Sequence, residues 1–197
     1  MDTAAILELI KETAEEVINP RFRALERADV EAKTSPDDLV TIADREAENL
    51  LSSALRRIHP DALVIGEEAV FANPELRRKL PGAEHAFVID PIDGTRNFVE
   101  GRREHGVMLA ETRNGITTRG WIWQPRTGRG YVAEKGAGVR LNDELITPER
   151  HDRPPLGASS KTHVQGFTGD GELSPVVRSL FACAFDYPRV LHGELDF

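Results

Sequence analysis

The sequence contains a single cysteine, Cys183, so it cannot form a disulfide within the chain. Scarce cysteine is typical of proteins in a reducing compartment, and we expect a cytoplasmic location. No apolar run approaches the roughly 18 residues that a membrane-spanning helix needs. The first residues, MDTAAILELIKETAEE, lack the basic start and apolar core of a secretory signal. These absences argue against a membrane protein and against a secreted one.

Positive charge is also in short supply, because 25 Lys and Arg residues face 33 Asp and Glu residues, for a net charge of −8. An acidic chain of this size repels nucleic acid polymers and anionic membrane surfaces, so we expect neither as a partner. A phosphorylated substrate would be repelled as well, unless local cations overrule the overall field.

The spacing of apolar residues predicts the secondary structure in outline. The chain of 197 residues is long enough for one ordinary domain or two small subdomains. The predicted elements are helices over 4–19 and 44–58, strands over 62–66 and 86–90, and hairpins turning at 113–115 and 136–138. Helices therefore come first and a mostly antiparallel sheet follows.

The polar, proline-containing segment 151–157 is the best candidate for a linker. We predict an N-terminal α+β subdomain over residues 1–150, which carries the site, and the beginning of a C-terminal α/β subdomain over 151–197. Within the latter, the pattern predicts a helix in 174–185 and a strand over 190–197. This last element runs into the chain end without a capping turn, so we expect a chain that is cut short.

Two of the predicted strands end in carboxylates: Glu67 and Glu68 follow the first, and Asp90 and Asp93 follow the second. If these strands are neighbours, their ends meet at one edge of a sheet, and the clustered carboxylates repel unless a cation lies among them. Hard oxygen ligands of this kind suit Mg²⁺. Pro91 is expected to end the strand, so that Asp93 turns back toward the same ion.

The next two residues, Gly94 and Thr95, predict a place for phosphate. If a helix begins here, its free N–H groups and positive end face the metal site. An acidic turn before a helix is often no more than a cap. The interpretation therefore depends on all these residues occurring together and in this order.

The segment from Asp90 to Phe98, DPIDGTRNF, carries the pattern D-P-[IL]-D-G-T-x-N-F intact and resembles the inositol monophosphatase family of Mg²⁺-dependent, Li⁺-sensitive phosphatases. LVTIADREAE (39–48), VIGEE (64–68) and GAGVRLND (136–143) are similar to three other family segments. The resemblance implies an α/β (α+β) fold, the layered αβαβα sandwich of the inositol monophosphatase and fructose-1,6-bisphosphatase type, and a homodimer.

The resemblance also implies roles for the matching residues. The implied metal ligands are Glu67, Asp90, the carbonyl of Ile92, and Asp93. The implied phosphate ligands are the N–H groups of Gly94 and Thr95. Asp44 and Thr95 would hold and activate the attacking water, and Lys33 would lie near the catalytic metal. Two or three Mg²⁺ ions, and inhibition by Li⁺, follow from the same resemblance.

One family segment is missing, because the family carries a later W-D-x-[AS]-[AG]-G motif whose Asp is a further metal ligand, and no Trp-Asp pair occurs in this sequence. We therefore expect the C-terminal layers of the sandwich to be incomplete. The predicted function is a Mg²⁺-dependent phosphomonoesterase acting on a small phosphorylated metabolite, such as an inositol phosphate or histidinol phosphate. The alternative is a non-catalytic metal-binding or interaction remnant of the same fold.

Two other site types fail on spacing. A haloacid-dehalogenase-like phosphatase needs its two aspartates at i and i+2, whereas Asp90 and Asp93 stand at i and i+3. An EF-hand needs a 12-residue loop with oxygen ligands at alternate positions and a terminal glutamate, and no such loop occurs in this sequence.

Overall fold

The computed structural model describes residues 2–36, 38–148 and 151–197. These residues form seven α-helices and eleven strands. The helices are α1 (Thr3–Thr13), α2 (Asn19–Arg21), α3 (Ile42–Ile58), α4 (Glu67–Ala72), α5 (Glu75–Lys79), α6 (Thr95–Val99) and α7 (Cys183–Leu191). The strands are β1 (Val30–Ala32), β2 (Leu39–Thr41), β3 (Leu63–Gly66), β4 (His85–Asp93), β5 (Gly106–Arg113), β6 (Ile116–Gln124), β7 (Arg129–Glu134), β8 (Gly138–Leu141), β9 (Glu144–Leu145), β10 (Ala158–Ser159) and β11 (Val177–Arg178).

A seven-stranded sheet forms the centre, with the strand order β3-β4-β5-β6-β7-β8-β9. β3 and β4 are parallel, and the other neighbours are antiparallel. Both predicted hairpins are confirmed, as β5-β6 and β7-β8. The first turns at Asn114 and Gly115, whose φ angles of 50° and 74° are the positive values that a tight hairpin turn requires.

Helices pack on the two faces of this sheet. Apolar side chains of α1 and α3, among them Ile10 and Leu51, are fully buried against Phe87 and Trp121 on one face. α7 packs against β5 and β6. The predicted fold class, a mixed α/β fold with a central sheet flanked by helices, is thereby confirmed. Among the described residues, no helix is both long enough and apolar enough to cross a membrane.

The division into two subdomains stays a prediction. Its boundary, Arg150, lies outside the described residues. β10 and β11 form a separate two-stranded parallel sheet after the 151–157 segment. The incompleteness of the C-terminal layers also stays a prediction.

The first helix extends beyond residue 19, where its predicted range ends. α1 passes into a π-helical turn over Ala14–Ile18, where the N–H of Asn19 donates to the carbonyl of Ala14, and the helix then ends at Arg21. In a regular α-helix the ring of Pro20 would meet the carbonyl four residues earlier. The wider π turn accommodates the proline without ending the helix.

Two elements predicted near the C-terminus are wrong. Residues 174–185 contain strand β11 and only the first turn of α7, and residues 190–197 complete α7 and continue without strand structure. The β-branched Val177 pairs with Ala158 in a parallel ladder, which overrides the helical spacing of its neighbours. The helix instead lies further along the chain, as α7, and contains Pro188 in its interior. Proline is disfavoured there because it has no N–H for the helical hydrogen bond.

Candidate active site at the ends of β3 and β4

The parallel pairing of β3 and β4 brings the two acidic segments to one edge of the sheet. Gly66, the last residue of β3, pairs with Ile89, so Glu67 at the start of α4 and Asp90 of β4 directly follow this pair. The juxtaposition predicted from the two strand ends is therefore present.

Pro91 does not end β4, contrary to the prediction. The strand continues to Asp93, which pairs with Gly106, and the register shifts between Asp90 and Asp93. β3 ends at Gly66, so the β3 side of β4 has no ladder partner beyond Ile89. The missing N–H of Pro91 therefore costs little there, because proline is tolerated at strand edges and bulges. The irregular backbone, rather than a chain reversal, sets the position of Asp93.

Gly94 connects this strand to α6, which begins at Thr95 as predicted. Its φ of 79° lies in the left-handed region that glycine adopts without strain. A Cβ at this position would also lie 2.9 Å from the Cβ of Ala182 and from the carbonyl oxygen of Glu104. Both the backbone conformation and the available space therefore require glycine here.

Asp44 reaches the site from the first turn of α3. Its Oδ2 accepts hydrogen bonds from the N–H (2.8 Å) and hydroxyl (2.6 Å) of Thr41, which caps the helix. Its Oδ1 accepts from the hydroxyl of Thr95 at 3.2 Å. Burial raises the pKa of Asp44 to about 6. Asp44 is thus both a helix-capping residue and a direct neighbour of Thr95.

Lys33 lies in the connection between β1 and β2. One residue of this connection, Asp37, lies outside the described residues. The Nζ of Lys33 is 2.8 Å from Glu67 Oε1 and 2.5 Å from Glu68 Oε1. Burial lowers the pKa of Lys33, but the two carboxylates outweigh this effect and raise it overall. Lys33 therefore stays charged beside the acidic edge.

Asp90 is the carboxylate least satisfied by its surroundings. Its Oδ1 is buried and has no hydrogen-bond partner among the described residues. Burial, followed by the negative charges of Asp93 and Glu67, raises the pKa of Asp90 to about 8. Without a cation, this side chain is largely protonated at neutral pH.

Asp93 has partners in a distant part of the chain. Its Oδ2 accepts a hydrogen bond from the N–H of Ala184, in the first turn of α7, at 2.7 Å. Burial raises the pKa of Asp93 to about 6, although the N–H groups of Ala184 and Cys183 oppose the rise.

The donor set fits a hard divalent cation. Carboxylates with raised pKa values, one of them with an unpartnered buried oxygen, need the positive charge that such an ion carries. Within the part of the chain that the structure describes, no three His, Cys, Asp or Glu side chains already enclose a common point. Glu67 is instead paired with Lys33, and Asp93 with Ala184.

Glu48 is a residue of this site that the sequence analysis did not single out. Its carboxylate accepts from the N–H groups of Glu68 (2.7 Å) and Ala69 (2.9 Å) and so caps α4, the helix that begins at Glu67. A Cβ at Gly66 would lie 2.1 Å from the Cδ of Glu48, so glycine leaves room for this cap. The signal in the sequence was the i, i+4 spacing of Asp44 and Glu48 on one face of a helix.

The family model for the inositol monophosphatase family matches residues 2–197. The chain belongs to this family. A curated relative, the fructose-1,6-bisphosphatase/inositol-1-monophosphatase of Thermotoga maritima, is 35% identical over 173 residues, which is 85% of this chain and 64% of the relative. The chain thus spans less than two thirds of that relative's length. The resemblance stated from the DPIDGTRNF segment is confirmed.

Solved structures of the family share the fold. Thermotoga maritima IMPase superposes with a TM-score of 0.78 at 26% identity, over 96% of this chain and 72% of that one. An IMPase/NADP phosphatase complexed with Mg²⁺ and phosphate has a TM-score of 0.73 at 20% identity, over 98% of this chain and 70% of that one. At this lower identity the likeness concerns the fold alone.

Proposed function

We propose that this protein is a Mg²⁺-dependent phosphomonoesterase that hydrolyses a small phosphate monoester, such as an inositol phosphate, histidinol phosphate or a related metabolite. The observation that carries this proposal is Asp90, whose buried, unpartnered oxygen lies among other carboxylates. Family membership, and the Mg²⁺ and phosphate held by a protein of the same fold, support the same reaction.

The residues proposed to hold the metal are Glu67, Asp90, the carbonyl of Ile92, and Asp93. We propose two or three ions, with Li⁺ as an inhibitor that competes for the same oxygen ligands. When bound, Mg²⁺ would lower the pKa of a water and neutralise charge on the phosphate oxygens.

The chain's own groups would supply positioning and a proton acceptor. The N–H groups of Gly94 and Thr95 would bind phosphate at the start of α6. The hydroxyl of Thr95 lies 2.9 Å from the carbonyl oxygen of Ile92 and 3.2 Å from Asp44 Oδ1, and its single proton is donated to one of these two acceptors. When Thr95 donates to Asp44, its lone pairs can accept a hydrogen bond from the attacking water. Asp44, whose pKa is about 6, is mostly ionised at neutral pH and can take the proton. Attack on phosphorus would be in line with the leaving oxygen.

The alternative, a non-catalytic metal-binding or interaction protein of the same fold, shares the metal site and differs in turnover. We further propose a homodimer in the cytoplasm, acting on a small metabolite rather than on a nucleic acid or a membrane. Light scattering on the purified chain tests the dimer.

Phosphate release tests the reaction. Inositol 1-phosphate and histidinol phosphate would be assayed across a Mg²⁺ titration, with Asp93→Asn as the test variant and Asp61→Asn as the matched control. Asp61 is exposed in the turn before β3, at the other end of the sheet. We expect Mg²⁺-dependent release that disappears in Asp93→Asn and persists in Asp61→Asn.

Two results would count against this account. Full activity in Asp93→Asn would remove that residue from the metal ligands. A wild-type chain that binds Mg²⁺ and releases no phosphate would favour the non-catalytic alternative.

A further inference from the structure

The start of α7 is fitted closely onto the acidic edge of the sheet. Ala182 and Ala184 are buried there, and the N–H of Ala184 donates to Asp93. A Cβ at Gly106 would lie 2.7 Å from the Cβ of Ala184, so this strand and this helix approach as closely as a glycine permits. The backbone of α7 is therefore part of the immediate surroundings of Asp93.

A proline within α7 leaves one carbonyl of this turn without its helical partner. Pro188 has no N–H, so the carbonyl of Ala184, four residues earlier, cannot receive the usual hydrogen bond. The Nε2 of Gln124, at the end of β6, donates to this carbonyl at 2.7 Å. Gln124 is 2% exposed, so this hydrogen bond is buried. A buried carbonyl without a partner would destabilise the fold, and Gln124 prevents that.

The orientation of the Gln124 amide is fixed from its other end. Its Oε1 accepts a hydrogen bond from the hydroxyl of Thr127 at 2.8 Å, which leaves the NH₂ group facing Ala184. Ala184 is consequently held on both sides of its backbone, with its carbonyl on Gln124 and its N–H on Asp93. A second buried amide, Asn97, donates to the carbonyl of Leu180 at 2.9 Å and so anchors the approach to α7.

We propose that Gln124 is a positioning residue of the active site, which fixes the Ala184 backbone so that its N–H holds Asp93 in the orientation used for metal binding. The inference rests on the proposed function for its effect on turnover. Its effects on the mobility of α7 and on metal binding do not depend on any substrate.

The experiment replaces Gln124 by methionine, which has a similar size and no donor, and uses Thr127→Ser as the matched control. Thr127→Ser keeps the hydroxyl that orients the Gln124 amide and leaves the donor to Ala184 in place. Cys183, the sole cysteine of the sequence and the first residue of α7, is exposed and reports on this turn through its rate of reaction with a chromogenic disulfide. Mn²⁺ binding by calorimetry reports on Asp93, and a Mg²⁺ titration of turnover reports on the reaction.

We expect Gln124→Met to speed thiol labelling and to weaken Mn²⁺ binding about fivefold, the equivalent of one buried hydrogen bond. The Mg²⁺ concentration for half-maximal turnover should rise by a similar factor, with a smaller change in kcat. Thr127→Ser should stay close to the wild type in all three measurements. If Gln124→Met does not fold, Thr127→Val takes its place, since it keeps the Gln124 side chain and removes the hydroxyl that orients its amide, and we expect changes in the same direction.

A double variant separates positioning from support of the helix. Pro188→Ala restores the helical N–H to the Ala184 carbonyl, so Gln124→Met combined with Pro188→Ala should regain thermal stability while Mn²⁺ binding stays weak. Recovery of Mn²⁺ binding together with stability would overturn the proposal, as would wild-type labelling and binding in Gln124→Met alone. If the wild type turns over none of the phosphate esters, the proposed function fails, while labelling and Mn²⁺ binding still decide the role of Gln124.

Discussion

Replacing Asp90 by asparagine should stabilise the metal-free protein at alkaline pH and remove its response to Mg²⁺. The pKa of Asp90 is raised to about 8 in the folded chain, whereas an aspartate in an unfolded chain titrates near 3.9. Between these values the folded state binds a proton that the unfolded state has lost. The contribution of Asp90 to stability is therefore fully present below the unfolded pKa and is lost as the pH rises through the folded pKa.

The size of the effect follows from the same shift. Each unit of pKa corresponds to about 1.4 kcal/mol, so a rise from about 3.9 to about 8 corresponds to about 6 kcal/mol once Asp90 is fully ionised. At pH 8, where Asp90 is half ionised in the folded chain, the upper bound is about 5 kcal/mol. Asparagine has no charge but leaves a buried amide with unmet hydrogen bonds, at a cost of about 1–3 kcal/mol. We expect a net stabilisation of about 2 kcal/mol, or a rise in Tm of about 4–8 °C for a chain of this length.

The assay is thermal unfolding in EDTA at pH 5 and pH 8, followed by the same scans in Mg²⁺. The Tm of Asp90→Asn should exceed that of the wild type at pH 8, and the difference should shrink at pH 5. Mg²⁺ should raise the Tm of the wild type and leave the variant unchanged, with Asp61→Asn behaving as the wild type. A variant that is less stable than the wild type at pH 8 in EDTA, or a difference independent of pH, would refute the reasoning.

Two further variants test other contacts of the site. Gly66→Ala should destabilise the protein by about 1–3 kcal/mol in urea unfolding, the usual effect of overpacking. The reason is that the added Cβ would lie 2.1 Å from the Cδ of Glu48. An unchanged unfolding midpoint would show that Glu48, which caps α4, can move aside without cost. Thr95→Val should lower kcat by about 100-fold or more through loss of the hydroxyl beside Asp44, whereas Thr95→Ser should keep most of the rate. Equal rates in valine and serine would remove the hydroxyl from the mechanism.

The sequence predicted those parts of the site in which the reactive side chains and the residues that the backbone conformation requires lie in one short segment. DPIDGTRNF contains Asp90 and Asp93 together with Gly94, whose positive φ only glycine adopts readily. Asn114 and Gly115 predicted their hairpin for the same reason, because the turn conformation itself demands these residue types. The ligand roles of the carboxylates stay predictions.

The parts that could not be predicted depend on long-range contacts. Pro91 was expected to end β4, but the strand continues because β3 has already ended beside it. Ala184 binds Asp93 through its backbone N–H, a group that every residue except proline has, so nothing in the sequence distinguishes it. The contact forms only because α7 packs beside Asp93. The helical spacing in 174–185 was misleading because Val177 pairs with β10, which precedes it in the chain by about 20 residues.

The order of strands in the sheet has a consequence for how the protein folds. Strands β4 to β8 each pair antiparallel with the next strand in the chain, so their contacts close short loops. Pairing β3 with β4 must close the segment 67–84, and the contact between Gln124 and Ala184 must close the segment 125–183. Closing longer loops costs more entropy, and local contacts form sooner.

During refolding, burial of Trp121 and Trp123 should therefore precede recovery of Mn²⁺ binding, and simultaneous recovery in stopped-flow measurements would contradict this order. The metal site is then the last part of the molecule to assemble, and a nearly folded chain would have its sheet in place before it could bind a cation.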